Sequence, residues 1–383
     1  MITNSKVPQI RFKGFSGEWE TKELGDIGSV AMNKRIFKSQ TTEKGDIPFY
    51  KIGTFGGKAD AFISKQLFED YKSKYPYPKQ GDLLISASGS IGRIVEYTGK
   101  DEYFQDSNIV WLKHENQLEN SFLKQFYNIV KWSGLEGSTI QRLYNKNILE
   151  TLISFPKQRN EQAKIGDYFQ QLDKLIEYKE KKHQKLKQFK KAMLSKMFPK
   201  NGADTPEIRF KGFSGKWEEK KLGDIFNYER PDNYIVKSTE YSNENKTPVL
   251  TANKAFILGY TNELNTFNKP SIIFDDFTLD FKFVDFSYMV KSSALKILTI
   301  NDEKKDSLIF IYYLLHTIKI EIMGHARHYI GVVQPTNVFV PKIEEQAKIG
   351  NYFQKLDNQI ELQQKELEKL KNIKKALLTK MFV

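Results

Sequence analysis

Apolar side chains recur at alternating three- and four-residue intervals in two long stretches of the chain. Ile165, Phe169, Leu172, Ile176, Leu186, Met193 and Met197 form one stripe; Ile349, Phe353, Leu356, Ile360, Leu367, Leu370, Leu377 and Met381 form the other. Such spacing over several heptads predicts two long helices paired in a coiled coil. At roughly 35–38 residues and 1.5 Å per residue, each helix is about 55 Å long. The middle of each stripe turns polar, at Lys179 and His183 in the first and Gln363 in the second. A buried polar seam position fixes register at a cost in stability; a partly solvated weak spot is the alternative.

Outside these stretches the pattern changes to short β-type runs bounded by Gly, Pro or Asp, with apolar helical segments at 122–130 and 308–315. Self-comparison organises them. PQIRFKGFSGEWETKELGDI (8–27) returns as PEIRFKGFSGKWEEKKLGDI (206–225), displaced by 198 positions. EQAKIGDYFQQLDKLI from Glu161 returns as EQAKIGNYFQKLDNQI from Glu345, displaced by 184, and the likeness continues through LKQFKKAMLSKMF and LKNIKKALLTKMF. The intervening body is therefore 14 residues shorter in the second copy. Two copies are too few for a solenoid, so a pseudo-twofold protein is expected. The expected fold class is α+β: two similar globular domains separated by a long antiparallel two-helix coiled coil. The expected boundaries are a first domain at 1–157, a helix at 158–198, a linker at 199–205, a second domain at 206–342 and a second helix at 343–383. A twofold would bring the chain termini as close together as the linker holds its own ends, and would place one domain at each end of the coiled coil.

Charge narrows the class of partner. Sixty Lys and Arg against 47 Asp and Glu give +13 and a pI near 9.3, which favours a polyanion, DNA or RNA ahead of an anionic membrane. The excess is uneven: residues 158–200 hold 12 basic and 5 acidic side chains, whereas 201–342 are balanced. Lys179, Lys181, Lys182, Lys185, Lys187, Lys190 and Lys191 on the first helix face either phosphates, an acidic partner or simply solvent. Mean hydropathy is -0.55, and no run approaches the roughly 18 apolar residues of a membrane span. The absence of cysteine excludes disulfides, thiolate metal sites and a thiol nucleophile. Together these lead to an expected cytoplasmic location.

Catalytic motifs are missing. There is no phosphate-binding G-x-x-x-x-G-K-[ST], no G-x-G-x-x-G, and no Pro-Pro of the kind amino-methyltransferases carry. Asp280-Phe281-Lys282 matches half of a nuclease site, a pattern that chance supplies in so Lys-rich a chain. His325 and His328 form the one histidine cluster; zinc would need two further ligands, so no metal is expected. Three loops carry side chains suited to DNA, since Arg, Lys, Asn and Gln read base edges or grip phosphates. Ser86, Ser88 and Ser90, followed by Arg93, lie in a small-residue turn between strands. Gln141, Arg142, Tyr144, Asn145 and Lys146 lie in GSTIQRLYNKN, and His325, Arg327, His328, Tyr329 and Gln334 in the corresponding GHARHYIGVVQP. Lys51, Lys254, Lys282 and Lys291 complete the candidates.

With these features assembled, the chain resembles the specificity (S) subunit of type I restriction-modification systems. The duplicated IRFKGFSG-x-WE…LGDI segments at Ile10 and Ile208 and the duplicated EQAKIG-x-YF-Q-x-LD helices carry the likeness over nearly the whole length. The resemblance implies two target recognition domains, each reading one half of an asymmetric split site in double-stranded DNA, with helices that set the spacing and dock two modification (M) subunits for adenine N6 methylation. It implies a non-catalytic chain with no cofactor of its own: S-adenosylmethionine would sit on the M subunits, and ATP and Mg on the restriction (R) subunits of the full complex. It supplies no base-contact code. Two alternatives stay open: a coiled-coil adaptor for proteins, and a stand-alone nucleic-acid enzyme with an unrecognised site.

Overall fold

The computed structural model describes residues 6–383 except 116, 135–141, 201, 253–254 and 320–327. It divides into two compact units, Met1–Lys179 with Glu366–Val383, and Glu180–Lys365. Both are mixed α+β, and each draws on one end of each of the two long helices, Arg159–Met197 and Ile343–Met381.

In the first unit an antiparallel four-stranded sheet runs in the order Gly28–Ala31, Ile109–His114, Leu83–Ser86, Ile94–Glu96. A three-stranded sheet pairs Ile47–Tyr50 with Ala61–Ile63 antiparallel and with Tyr103–Phe104 parallel, and Glu20–Glu23 pairs with Leu152–Phe155. The second unit repeats this plan: Phe226–Glu229, Leu295–Ile300, Ser271–Asp275, Phe281–Val284 in the larger sheet; Ile257–Thr261, Thr247–Leu250, Met289–Val290 in the smaller; Glu218–Lys221 with Asn337–Val340. Registers locate the length difference. Equivalent positions are offset by 198 at Ile63 and Thr261 but by 189 at Ile85 and Phe274. The first unit fills that interval with the helix Lys65–Lys74, which Ser64 caps by accepting from the Leu67 amide.

The apolar stripes are interior. Ile165, Phe169 and Ile176 are buried in the first unit, and Ile349, Phe353 and Leu356 in the second; Leu367 is buried as well, while Leu172, Leu186, Met193, Ile360, Leu370 and Leu377 are half-buried. Each core is completed by the far end of the other helix. Phe382 stacks on Phe122 at 4.9 Å and meets Trp19 edge-on at 6.1 Å. Phe198 makes the same set with Phe310 at 5.4 Å and Trp217 at 6.3 Å. The Ile10 amide donates to the Lys380 carbonyl at 3.0 Å, as Ile208 does to Lys196 at 2.9 Å. Ile10 thus meets the end of the second helix in one unit as Ile208 meets the end of the first in the other.

Candidate nucleic-acid interface

The duplicated motifs are repeated because they clasp each other within each unit. Arg11 forms a two-pronged ion pair with Glu161 at 2.7 and 2.8 Å and also donates to the Gly17 and Ser16 carbonyls. Arg209 repeats it on Glu345, with 2.7 Å for both prongs. Glu161 and Glu345 are each 1% exposed, so bidentate pairing is what permits their burial. Donating to its glutamate pushes each guanidinium pKa up. Gln162 and Gln346, wholly buried, tie the strand-to-helix turn through the Pro156 and Pro341 carbonyls and accept from the Glu119 and Ser307 amides. Lys164 lies over Phe12 and Phe15, and Lys348 over Phe210 and Phe213. Gly166 and Gly350 let the short helices Asn120–Tyr127 and Leu308–Leu315 approach: a Cβ there would lie 2.2 Å from Ser121 Oγ or 2.6 Å from Ile309 Cγ2.

On this frame each unit gathers three loops. In the first, the Leu83–Ser86 to Ile94–Glu96 hairpin closes around Ser86, which donates to the Ser90 carbonyl and accepts from the Arg93 amide at 2.8 Å. The loop 105–108 packs beside it, with Ser88 donating to Asn108 Oδ1 at 2.9 Å and Arg35 paired to Asp106 at 2.8 Å. Arg142 donates to the Ser107 carbonyl at 3.1 Å, and the Leu143 amide to that of Ala87 at 2.8 Å. Ser107 sits at φ 54, a left-handed conformation costly for serine that the surrounding bonds hold in place.

The second unit builds the same cluster from different chemistry. Asp275 stands at the position of Ser86 and accepts from the Phe277 amide at 3.0 Å and from the Thr278 hydroxyl. Asp276 pairs with Lys296 at 3.3 Å and accepts from the Tyr329 amide at 2.8 Å, while its carbonyl meets His328 Nδ1, also at 2.8 Å. A groove of about 660 Å³ opens between these loops, lined by Arg230, Phe277, Ser292, Lys296 and Ile330 among others. Phe277 is 75% exposed at its edge.

Three of the expected contact residues are interior. Ser86, His328 and Tyr329 are at most 2% exposed; they hold the loops in shape, and burial pushes the Tyr329 hydroxyl pKa up to about 12. Lys291 is half-buried, donating to Tyr241 Oη at 3.0 Å. Lys51 is paired with Asp60 and Lys146 with Glu150, both in partial solvent. Tyr144 is 60% exposed, and its ring lies under Arg142 at 5.9 Å. Asn145, Ser90, Arg93 and Lys282 are exposed, and Ser88 and Gln334 half-buried. Gln141, Lys254, His325 and Arg327 lie outside the described residues. Arg35, Asn108, Arg230 and Lys296 share the clusters but were not singled out from sequence; no local motif marks them, and the partners of Arg35, Asn108 and Lys296 belong to other strands and loops. On the long helices, Lys179 pairs with Glu366 and Lys190 with Asp357, so these two of the seven lysines are engaged between helices rather than turned outward. His183 and Gln363 are buried, at 7% and 8% exposure, while Lys179 is half-buried.

Among the described residues no group of His, Asp and Glu suited to hold a metal ion was found, and no helix is long and apolar enough to cross a membrane. The model of the type I restriction modification DNA specificity domain matches the chain twice, over residues 16–188 and 214–372. A putative type I restriction enzyme specificity subunit of Haemophilus influenzae is 56% identical over 157 residues, which cover 40% of this chain and 41% of that relative, less than half its length. The putative MjaX specificity subunit of Methanocaldococcus jannaschii is 26% identical over 394 residues, covering 94% of this chain and 92% of its own. The crystal structure of the type I restriction-modification S subunit of M. genitalium superposes with a TM-score of 0.67 at 18% identity, covering 98% and 99% of the two chains. At that identity the superposition establishes the fold.

Proposed function

The chain belongs to the type I restriction modification DNA specificity family, and from that premise we propose that each unit reads one half of a split, asymmetric site in double-stranded DNA. The observation that carries this is the pairing of one clasp, built twice from the same residues, with two loop clusters of different chemistry. A frame of this kind presents two different reading surfaces in equivalent ways. Arg35, Arg93 and Arg142 in the first unit and Arg230 in the second supply the cations that phosphates and guanine edges take, while Lys296 is held by Asp276.

In this reading the chain performs no chemistry. Two M subunits carrying S-adenosylmethionine methylate adenine, and R subunits supply the ATP- and Mg-dependent steps. The outward helix residues Tyr178, Phe189 and Leu362, at 62%, 47% and 56% exposure, form apolar footholds suited to M subunits. The test is a genome-wide map of N6-methyladenine in cells with and without the gene, with the M subunit expressed. A gene-dependent motif of two different half-sites is expected. An unchanged map with an active M subunit would overturn the reading and favour a protein-binding adaptor.

A further inference from the structure

Two cavities of nearly equal size occupy the same place in units whose surfaces otherwise differ. Each lies between residues just beyond the central strand of the smaller sheet, Ile52, Gly53 and Phe55 after Ile47–Tyr50 or Thr251, Ala252 and Phe256 after Thr247–Leu250, and the hairpin organised by Ser86 or Asp275. The first unit's cavity measures about 230 Å³ and is lined by Ile52, Gly53, Phe55, Gly89, Ser90 and Arg93, with Ser86 at its base. The second unit's measures about 220 Å³, with Thr251, Phe256, Ile273, Asp280 and Lys282 among its lining. Both fall below the roughly 300 Å³ at which pockets for drug-sized ligands begin, and suit a single planar heterocycle.

Each cavity has apolar side chains in its lining, Ile52 and Phe55 or Phe256 and Ile273, and one cation tethered to a phenylalanine. Lys282 Nζ sits 4.3 Å from the Phe256 ring centroid. Arg93 donates to the Phe55 carbonyl at 2.8 Å, which fixes the guanidinium and leaves it without an ion pair among the described residues. The remaining polar groups differ in sense. In the first unit Arg93 and the Ser90 hydroxyl offer donors. In the second the Asp280 carboxylate offers an acceptor beside the Lys282 donor.

We infer that each cavity seats one nucleobase of the bound DNA, swung out of the stack, and that the cavities differ in the base they take. The first unit's donors match a keto-bearing base, guanine or thymine. The second unit's acceptor matches the exocyclic amine of adenine or cytosine, with Lys282 on the neighbouring ring nitrogen or carbonyl. The inference rests on the DNA-reading function proposed above and adds the ligand, its conformation and the residues that select it.

A protein that swings a base out binds more tightly when its pairing partner has been removed, because the pair no longer has to be broken. The experiment uses the chain assembled with its M subunits and duplexes of the mapped site, with one mismatch placed at each position in turn. Apart from the methylated adenines, whose extrusion serves the M subunits, dissociation constants are expected to fall about tenfold at one further position in each half-site and to rise elsewhere. Gly53→Phe should abolish the gain in the first unit's half-site alone, since a side chain begun there meets nothing within 4 Å; Ala252→Phe should do so in the other. Asp280→Asn should shift base preference at the second unit's position and nowhere else. Weakening by mismatches at every position, with specific binding to the matched site intact, overturns the inference and leaves the DNA-reading function standing. A gain at those further positions that survives both cavity-filling variants overturns it too. If the assembled wild-type complex binds the mapped duplex no better than random DNA, both fail.

Discussion

The clasp and the hairpin tip lie in the same unit, yet only one of them is copied. Between the two units the clasp is repeated residue for residue, Arg11 on Glu161 with prongs of 2.7 and 2.8 Å and Arg209 on Glu345 with 2.7 Å for both. At the tips, Ser86 and Asp275 share a position and a task but no functional group. Ser86 folds an eight-residue turn rich in Ser and Gly, whereas Asp275 folds a six-residue turn that holds Phe277 out at 75% exposure. A buried charge pair works in one geometry only. A turn needs a short acceptor at its base and accepts any tip that this acceptor can close. The frame is therefore duplicated literally and the tip by role alone.

The comparison breaks first at the clasp. Arg11→Ala strands a glutamate that is 1% exposed. The expected loss of stability is about 3 kcal/mol, the lower end for breaking a buried pair, because the Arg11 side chain keeps 13% of its surface in water. Arg209→Ala should cost the same, since its side chain is 18% exposed over an equally buried Glu345. Urea unfolding followed by circular dichroism measures both, and a difference above about 1 kcal/mol would show that the clasps are not energetic copies. The glycines sharpen the point. A methyl at Gly166 meets Ser121 backbone carbon at 2.6 Å as well as its side chain, whereas at Gly350 its nearest neighbour is the movable Ile309 Cγ2. Gly166→Ala should cost about 3 kcal/mol and Gly350→Ala about 1.

The tips come next in size. Asp275→Ala removes the acceptor of the Phe277 amide and the Thr278 hydroxyl, and Ser86→Ala that of the Arg93 amide. Bonds to a carboxylate are the stronger kind, so about 2 kcal/mol is expected for Asp275 and about 1 for Ser86. In DNA binding each variant should affect only the half-site read by its own unit, which competition with duplexes altered in one half-site would reveal. Loss of affinity for both half-sites from either variant would show that the tips do not read separately.

The frame was far more legible in the sequence than the reading surface, for physical reasons. Ile165, Phe169, Ile349 and Phe353 announce themselves through helical periodicity, which needs only local spacing. The clasp is visible as duplication, although nothing in the sequence says that Arg11 meets Glu161, 150 residues away. Burial of the loops was not legible. His328 and Tyr329 stand in a segment of Gly, Arg and Gln that reads as exposed, but Asp276 across the unit supplies the acceptors that draw them inside. Arg35 and Lys296 were missed for the same reason, because their carboxylate partners, Asp106 and Asp276, belong to other strands and loops.

The smallest effect concerns a position where the frame itself departs from its copy. His316 follows the helix Leu308–Leu315 as Asn128 follows Asn120–Tyr127. The imidazole packs on Phe281 at 4.6 Å and Tyr312 at 4.9 Å, close to the Lys190–Asp357 pair that also receives the Tyr313 hydroxyl at 2.7 Å. Burial pulls its pKa below the usual 6.5, Lys190 pulls it further, and Asp357 opposes them. Well above the unfolded value of 6.5 neither folded nor unfolded chain holds the proton, and stability is flat with respect to this group. As pH falls below 6.5 the unfolded chain takes the proton first, so stability declines until the folded imidazole titrates as well. The second unit should therefore lose stability between about pH 7.5 and 5.5 in a way that His316→Asn removes, whereas Asn128→His should introduce acid sensitivity only where the first unit offers a comparably buried site. Urea midpoints at the two pH values decide it: an equal fall in wild type and His316→Asn would assign the acid response to other groups and leave the units alike in this respect.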